Sequence, residues 1–278
     1  RNILPLFRIA ALFFLLARPV LLPAQAGFED KLSFEQIQEL LTKGIENRNV
    51  RMQGLGWYKW AIYRENETGN RDSAFQYLGR SVELFIEAND TLAYHRARAE
   101  LAARMAERGM VSDAFKIQEE ALYYFRSTGN RRLETLVLAQ MGRLYQSIGD
   151  TAKASLLKRE FREKSRLLND TLLLINVFID EVADLQGNGQ YHDAIPLAFR
   201  VLDLSEKAGY SEFVTWAEYQ IGYLNEITQD YLMAMRFLDR AERSNSLSDD
   251  ARRHKIYQHK ASVYAKLDSL PQALNYAQ

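Results

Sequence analysis

Apolar residues recur at steps of three and four along most of the chain, and short polar turns interrupt them at regular intervals. This period is typical of amphipathic helices. One such face carries Leu138, Met141, Leu144, Tyr145 and Ile148. The pattern predicts helices over about 131–148 and 151–168, and the other helix pairs are displaced from these by steps of forty residues.

Two series of turn-forming dipeptides, each with a step of forty residues, divide the chain into helix pairs. The first series is Gly69-Asn70, Gly109-Met110, Gly149-Asp150, Gly189-Gln190 and Gln229-Asp230, and alanine follows at 74, 114, 154, 194 and 234. The second series falls midway, at Asn89-Asp90, Gly129-Asn130, Asn169-Asp170, Gly209-Tyr210 and Asp249-Asp250. Two interleaved series with one period predict a repeat of two helices.

The alanine after each turn of the first series has a packing role in this scheme. An isolated helix of about 17 residues is marginal in water, so each helix must bury its apolar face against its partner and the next pair. We expect the alanines to lie where two helix backbones approach closely, because a larger side chain there would force the helices apart.

The repeat also predicts where the array begins and ends. Ser33 and Gln36 have the spacing of a capping box, which predicts a capping helix that ends near Asn47. The predicted boundaries are 1–26 for a signal peptide, 27–50 for the capping helix and 51–278 for the solenoid, with repeats at about 51–90, 91–130, 131–170, 171–210, 211–250 and a truncated 251–278. The truncated last pair indicates a piece of a longer protein.

These features resemble the tetratricopeptide repeat (TPR), although its ordinary period is about 34 residues. The best match is Leu138, Met141, Gly142, Tyr145 and Ala154, and Gly222 with Ala234 and Ala114 with Ala121 and Phe125 repeat parts of it. The resemblance implies an all-α fold, namely an α-solenoid in which antiparallel helix hairpins wind into a right-handed superhelix. With its forty-residue period the chain is similar to the amino-terminal sensor regions of bacterial membrane-bound histidine kinases or LuxR-type regulators.

The resemblance also implies a binding surface, the concave face lined by the first helix of each pair. Its central positions are Lys59, Tyr63, Ala99, Ala103, Ala139, Arg143, Ile179, Ala183, Trp216, Tyr219 and Tyr223, and bordering positions are Arg96, Gln146, Asn176, Gln186 and Glu226. The alanines predict a smooth floor. Only Lys59 and Arg143 offer positive charge at the central positions, so the basic clamp that some family members use to bind a peptide carboxyl terminus is not reproduced, and a ligand with an acidic tail is not favoured. Trp216, Tyr219 and Tyr223 are typical of a recognition surface, and core packing is the alternative for these three rings.

The first residues have the layout of a secretory signal peptide. Arg1 and Arg8 precede an apolar run at 9–17, and Ala24 and Ala26 form a cleavage motif. The run is shorter than the span of about 20 residues that a membrane helix needs. We therefore expect export to a periplasmic or extracytoplasmic location, and an uncleaved anchor or a buried first helix are the alternatives.

Composition adds little catalytic chemistry to this picture. Thirty-six basic and thirty-six acidic residues cancel, which gives no general attraction to nucleic acid. Cysteine is absent, which excludes disulfides, thiolate metal sites and cysteine nucleophiles. The four histidines have no metal-binding spacing and are interpreted as solvated. Asp180, Glu181 and Asp184 form an acidic cluster, for which solvated carboxylates are favoured over a metal or acid–base site.

The sequence thus predicts a protein- or peptide-binding module with no cofactor, no metal and no catalytic residues, in a parent protein that could carry a kinase domain. The favoured hypothesis is the extracytoplasmic sensory region of a signal-transduction protein, attached to the membrane only through a downstream segment. The alternative is a freestanding periplasmic scaffold. An enzyme within these residues is the third and least favoured hypothesis.

Overall fold

A computed structural model describes residues 27–28, 32–68, 71–244 and 250–267. These residues form twelve helices and no strand: α1 (Phe34–Glu46), α2 (Val50–Thr68), α3 (Arg71–Glu87), α4 (Thr91–Glu107), α5 (Val111–Ser127), α6 (Arg131–Ser147), α7 (Thr151–Leu168), α8 (Thr171–Gly187), α9 (Tyr191–Ala208), α10 (Ser211–Ile227), α11 (Tyr231–Ser244) and α12 (Asp250–Lys266). The predicted signal peptide, the turn at 69–70 and the chain after 267 lie outside the described residues.

The helices pack in chain order. Each helix contacts the next one, and α4 also contacts α6 while α10 contacts α12. The even-numbered helices are the first helices of the repeat, and the odd-numbered helices are the second. The prediction of an all-α solenoid of helix hairpins is confirmed.

Between Asn89 and Gln229 the turns lie where the two dipeptide series place them, and Asp249 of the last predicted turn lies outside the described residues. From Asn89 to Gln229, the residue that opens each of the eight turns has a positive φ. Seven of the eight are glycine or asparagine, namely Asn89, Gly109, Gly129, Gly149, Asn169, Gly189 and Gly209. Glycine and asparagine tolerate this left-handed conformation, which reverses the chain within two residues and satisfies the last carbonyl groups of the helix. Gln229 adopts it with φ 67° and is the exception in residue type.

The residue after the left-handed position caps the start of the next helix in five of these turns. Its side-chain oxygen accepts a hydrogen bond from the backbone N–H three residues later, as at Asp90, Asn130, Asp150, Asp170 and Asp230. At the start of α1, Ser33 and Gln36 form the reciprocal bonds of the predicted capping box. These local caps fix the helix starts and therefore the register of the repeat.

The alanines of the first series are buried, as expected. Ala74, Ala114, Ala194 and Ala234 have no exposed surface, and Ala154 is 4% exposed. Each lies in the first turn of a second helix. The small side chain therefore lets the second helix pack closely against its neighbours.

Gly142 and Gly222 occupy the same position in repeats that are eighty residues apart, and the space around them shows how closely the helices pack. A Cβ atom added to Gly222 on α10 would lie 2.8 Å from Leu238 Cγ and 3.1 Å from the Leu238 backbone nitrogen on α11. At Gly142 on α6, the nearest atom would be Lys158 Cγ at 3.5 Å, an ordinary contact. The helix pair α10–α11 is therefore the tighter one at this position.

We expect Gly222→Ala to lower the free energy of unfolding by about 1–2 kcal/mol, because overpacking outweighs the gain in helix propensity. Gly142→Ala is the matched control and is expected to be neutral or to stabilise by up to about 1 kcal/mol. Chemical denaturation of both variants measures the difference. Equal effects would show that the two helix pairs do not differ in spacing.

Candidate functional site

The first helices expose a common surface, here called the first-helix face, and its middle contains a cavity. This central cavity has a volume of about 240 Å³ and lies between α4, α5 and α6. It is lined by Ala102, Ala103, Ala106, Glu107, Gln118, Gln140, Arg143, Leu144 and Ser147. Three alanines of α4 form its apolar floor, and of these only Ala103 was predicted on this face, together with Arg143.

Arg143 is the unusual group of the central cavity. Its side chain is exposed to the cavity, and it makes no hydrogen bond or ion pair with any described residue. Protein surrounds the guanidinium on several sides, so desolvation lowers the pKa of Arg143, while the nearby charges of Glu100 and Asp180 act in the opposite direction. A cation in such a place lacks the counter-ion that usually accompanies it.

A network of charges connects α2, α4 and α6 beside the cavity. Arg104 donates to Glu65 at 2.6 Å and to Glu100 at 2.8 Å. Glu100 also accepts from Gln140 at 3.1 Å, and Gln140 accepts from the buried Gln118 at 2.9 Å. Burial opposes ionisation of Arg104, but Glu100 and Glu65 outweigh it and raise the pKa of Arg104. The network contains one cation and two carboxylates and so carries one net negative charge, and none of its hydrogen bonds comes from Arg143.

The acidic cluster on α8 is also paired, so the interpretation as solvated carboxylates is wrong for Asp180 and Glu181, each 20% exposed, whereas Asp184 is 45% exposed. Asp180 and Asp184 accept from Arg162 on α7, each at 2.5 Å, and Lys158 lies 3.2 Å from Asp180. Glu181 accepts from Arg166 at 2.5 Å. Helix α7 buries only three residues, Ala154, Phe161 and Ser165, so these ion pairs add to a small apolar contact between α7 and α8.

A second cavity of about 260 Å³ lies beside this ladder of ion pairs. It is lined by Gln146, Thr151, Ala154, Ser155, Lys158, Arg159, Arg162 and Asp184. Gln146, a predicted border residue, is exposed there. Two of its three cations are held by the α8 carboxylates, so this cavity offers less unpaired charge than its size suggests.

The predicted aromatic residues at the carboxyl end are half-buried and have both a core side and an exposed side. The Tyr219 and Tyr223 rings are stacked 6.4 Å apart, and His259 of α12 contacts both, at 5.7 and 5.0 Å. Trp216 packs against the core of α8–α10. Burial raises the pKa of Tyr219 and of Tyr223. These rings therefore take part in core packing and also have an exposed side that is available to a ligand.

Glu226 is 6% exposed and ties α10 to α12, so it is not an accessible border residue. It accepts hydrogen bonds from His259 at 2.7 Å, Ser262 at 2.6 Å and Lys266 at 2.9 Å. Burial would raise the pKa of Glu226, but these three donors outweigh it and lower the pKa to about 2. The interpretation of His259 as a solvated histidine is likewise wrong.

At the amino end, the structure corrects the role expected of Lys59. This residue is 8% exposed, and its ammonium donates to the Phe28 carbonyl at 2.7 Å, so it does not present a free charge. The Arg96 guanidinium covers the Phe28 ring at 4.5 Å. Tyr63 packs against the rings of Phe34 and Trp60 at 5.8 and 6.0 Å.

The remaining predicted residues are two polar residues with contacts inside the array and four apolar residues that differ in exposure. Asn176 donates to the Leu172 carbonyl of its own helix at 2.8 Å, and Gln186 donates to Gln220 on α10 at 2.8 Å. Ala99 is buried, whereas Ala139 and Ile179 are half-buried and Ala183 is exposed. Of the sites predicted from sequence, Ala103 and Arg143 are the two that the structure brings together at the central cavity.

The sequence reasoning missed Glu65, Glu100, Arg104 and Gln118. A signal for some of them was available, because residues 39 or 40 apart occupy neighbouring first helices. The pairs Arg104 with Glu65 and Gln140 with Glu100 have this separation, as do Arg51 with Asp90 and Lys266 with Glu226. A search for opposite charges at the repeat step would have found the three ion pairs, but not the bond between the neutral Gln140 and Glu100. Gln118 lies on a second helix, whereas the binding positions that the TPR resemblance implies all lie on first helices.

Two further properties concern the described residues alone. None of their helices is both long and apolar enough to span a membrane. Nor do they contain a group of three or more histidine and carboxylate side chains that could hold a metal ion.

No family model matches the chain, and no curated protein sequence matches it. Among solved structures, it is similar to aspartyl phosphate phosphatase F from Bacillus subtilis, with a TM-score of 0.52, 12% identity and coverage of 97% of this chain and 79% of that one. The apo form of RapI has a TM-score of 0.52 and 13% identity, over 87% of this chain and 86% of that one. Both are TPR-like helical repeat proteins, so the chain has a TPR-like fold.

The human IFIT1 dimer with m7Gppp-AAAA is a weaker match, with a TM-score of 0.45 and 14% identity over 87% of this chain and 65% of that one. A likeness of this size does not bear on what the present chain binds. The expectation that nucleic acid is not a partner therefore stays a prediction.

Proposed function

We propose that this chain binds an extended segment of a partner protein or peptide along its first-helix face. The observation that carries the proposal is the central cavity, where an alanine floor adjoins an exposed arginine that has no partner among the described residues. Neighbouring first helices in contact form a continuous surface, as α4 and α6 do. Stacked repeats present extended binding surfaces of this kind.

The central cavity is too small for a whole small molecule, so we expect it to bind one part of a longer ligand. Pockets for whole small molecules have volumes of about 300–1,000 Å³, and this one has about 240 Å³. It therefore accommodates one or two side chains. The half-buried rings of Trp216, Tyr219 and Tyr223, further along the same face, provide apolar area for another part of the segment. We assign no reaction and no cofactor to these residues.

The role we propose is the extracytoplasmic sensory region of a bacterial signal-transduction protein, a histidine kinase or a transcriptional regulator. The layout of residues 1–26 supports export. A segment bound across several repeats would favour one curvature of the solenoid and so bias a downstream output. We place such a change at the junction between α7 and α8, where several ion pairs accompany the apolar packing of Phe161.

A freestanding periplasmic scaffold is the second candidate, since binding alone would suffice for it. Reading the gene downstream of residue 278 separates the two. An apolar stretch of about 20 residues followed by a kinase or DNA-binding domain supports the sensor. A stop codon shortly after one closing helix supports the scaffold.

Binding at the face is tested by panning a displayed library of random peptides against the purified chain. We expect selected peptides to lose affinity about tenfold or more with Ala103→Leu, which fills the central cavity. The control is Lys116→Leu, at an exposed position of the second helix α5, which should leave binding unchanged. Equal affinity for all three proteins would place the binding site elsewhere. Thermal melts confirm that both variants are folded.

A further inference from the structure

We infer that the central cavity takes the carboxylate of one aspartate or glutamate side chain in the bound segment, and that Arg143 recognises it. This rests on the proposed function and names the ligand chemistry at its central site. The acidic group is a side chain within the segment and not its carboxyl terminus, and one arginine binds it in place of a clamp of several basic residues.

Arg143 is available because the two carboxylates whose charges act on it, Glu100 and Asp180, are already held by other donors. Glu100 accepts from Arg104 at 2.8 Å and from Gln140 at 3.1 Å. Asp180 accepts from Arg162 at 2.5 Å and lies 3.2 Å from Lys158. The five N–H donors of the Arg143 guanidinium therefore have no partner among the described residues. A planar guanidinium binds a carboxylate through two parallel hydrogen bonds.

The rest of the cavity suits the remainder of such a residue. Ala102, Ala103 and Ala106 with Leu144 provide an apolar floor for the methylene groups of an acidic side chain. Gln118 borders the same cavity, is 1% exposed, and has an Oε1 atom with no hydrogen-bond partner. An unpaired buried acceptor costs free energy, so a peptide N–H that reaches it from the cavity would relieve that cost.

The surrounding charges favour a carboxylate over a phosphate. Glu107 lines the cavity, and Glu100 and Asp180 are close enough to influence Arg143. A phosphate with nearly two negative charges would be repelled more strongly by these groups than a carboxylate with one. A nucleic-acid backbone would need a row of unpaired cations, whereas Arg104 and Arg162 on either side are already paired.

The test compares peptides that the wild-type chain and Arg143→Glu select from one displayed random library. We expect the wild type to select aspartate or glutamate at one fixed position and the charge-reversed variant to select lysine or arginine there. For one selected peptide, replacing its acid by the amide should weaken binding about tenfold to a hundredfold with the wild type. The same replacement should have little effect with Arg143→Ala, as expected for two directly coupled groups.

Arg236→Ala is the matched control, because Arg236 is an exposed arginine on the second helix α11. It should bind the selected peptide as the wild type does. Arg143→Ala should melt no lower than the wild type, because an unpaired and partly desolvated charge is removed.

Each other outcome overturns the inference. Selected peptides that bind at the face but share no acidic position would remove the role of Arg143 and leave the proposed function standing. Failure to select any peptide would contradict both. A single-stranded RNA oligonucleotide that binds in an Arg143-dependent way, when no peptide does, would replace the acidic peptide by nucleic acid.

Discussion

Replacing Glu226 by alanine is expected to lower the free energy of unfolding of the carboxyl-terminal repeat by about 3 kcal/mol at neutral pH. The side chain is buried and accepts hydrogen bonds from three groups of α12: His259, Ser262 and Lys266. Its pKa falls from the usual 4.5 to about 2 in the folded chain. Each unit of pKa corresponds to about 1.4 kcal/mol of preferential stabilisation of the charged form.

The loss should be concentrated in α12, because each helix of a solenoid contacts only its neighbours. Hydrogen exchange of the α12 amides therefore measures it more directly than a global melt. Glu206→Ala is the control, since Glu206 pairs with Arg240 at 2.9 Å but is half exposed. Surface ion pairs contribute about 0–1 kcal/mol. Exchange in α12 that is equally unaffected by both substitutions would show that Glu226 does not hold this helix.

Comparing the wild type with Glu226→Ala also predicts how the stability of α12 depends on pH. Because the folded pKa of Glu226 lies below its ordinary value, its stabilising contribution is present above pH 4.5 and is lost as the pH falls toward about 2. The wild type should therefore lose α12 protection in this window, and Glu226→Ala should lose less.

The second large effect is expected from Ala194→Leu, which should lower the free energy of unfolding by about 1–3 kcal/mol through overpacking. Ala194 has no exposed surface and lies within the core of α8–α10. A leucine there has no open space into which it can turn, so the first turn of α9 must move. Denaturant unfolding monitored by circular dichroism measures the change.

The equivalent substitution forty residues earlier is the control. Ala154 is 4% exposed and borders the second cavity, so Ala154→Leu can place its side chain partly in that space. It should therefore cost less than Ala194→Leu. An unchanged unfolding transition for Ala194→Leu would mean that the first-series alanines are not the close contacts of the repeat.

The helices and turns were predictable because their signals are local. Gly109 or Gly149 permits a left-handed turn, and Asp150 or Asp170 caps the following helix within three residues. Repetition of these signals every forty residues made the pattern unambiguous. Even Gln229, which has no intrinsic preference for its conformation, was placed correctly by the period alone.

The chemistry of the site was less predictable because it depends on which groups neutralise one another between helices. Lys59 and Arg143 look equivalent in the sequence, yet one is covered by the Phe28 carbonyl and the other faces a cavity without a partner. Glu226 was expected at the border of the face and instead joins two helices. Family positions indicate where a side chain starts, but the ion pairs around it decide whether it is free to bind a ligand.

Photo-crosslinking from defined positions tests most directly that a partner segment lies on the first-helix face. A photoreactive amino acid is placed at Ala103 on the floor of the central cavity or, as the comparison, at Tyr123, which is 76% exposed on the second helix α5. A peptide selected by the wild-type chain should crosslink to position 103 and not to 123. Crosslinking at 123 with none at 103 would contradict the account.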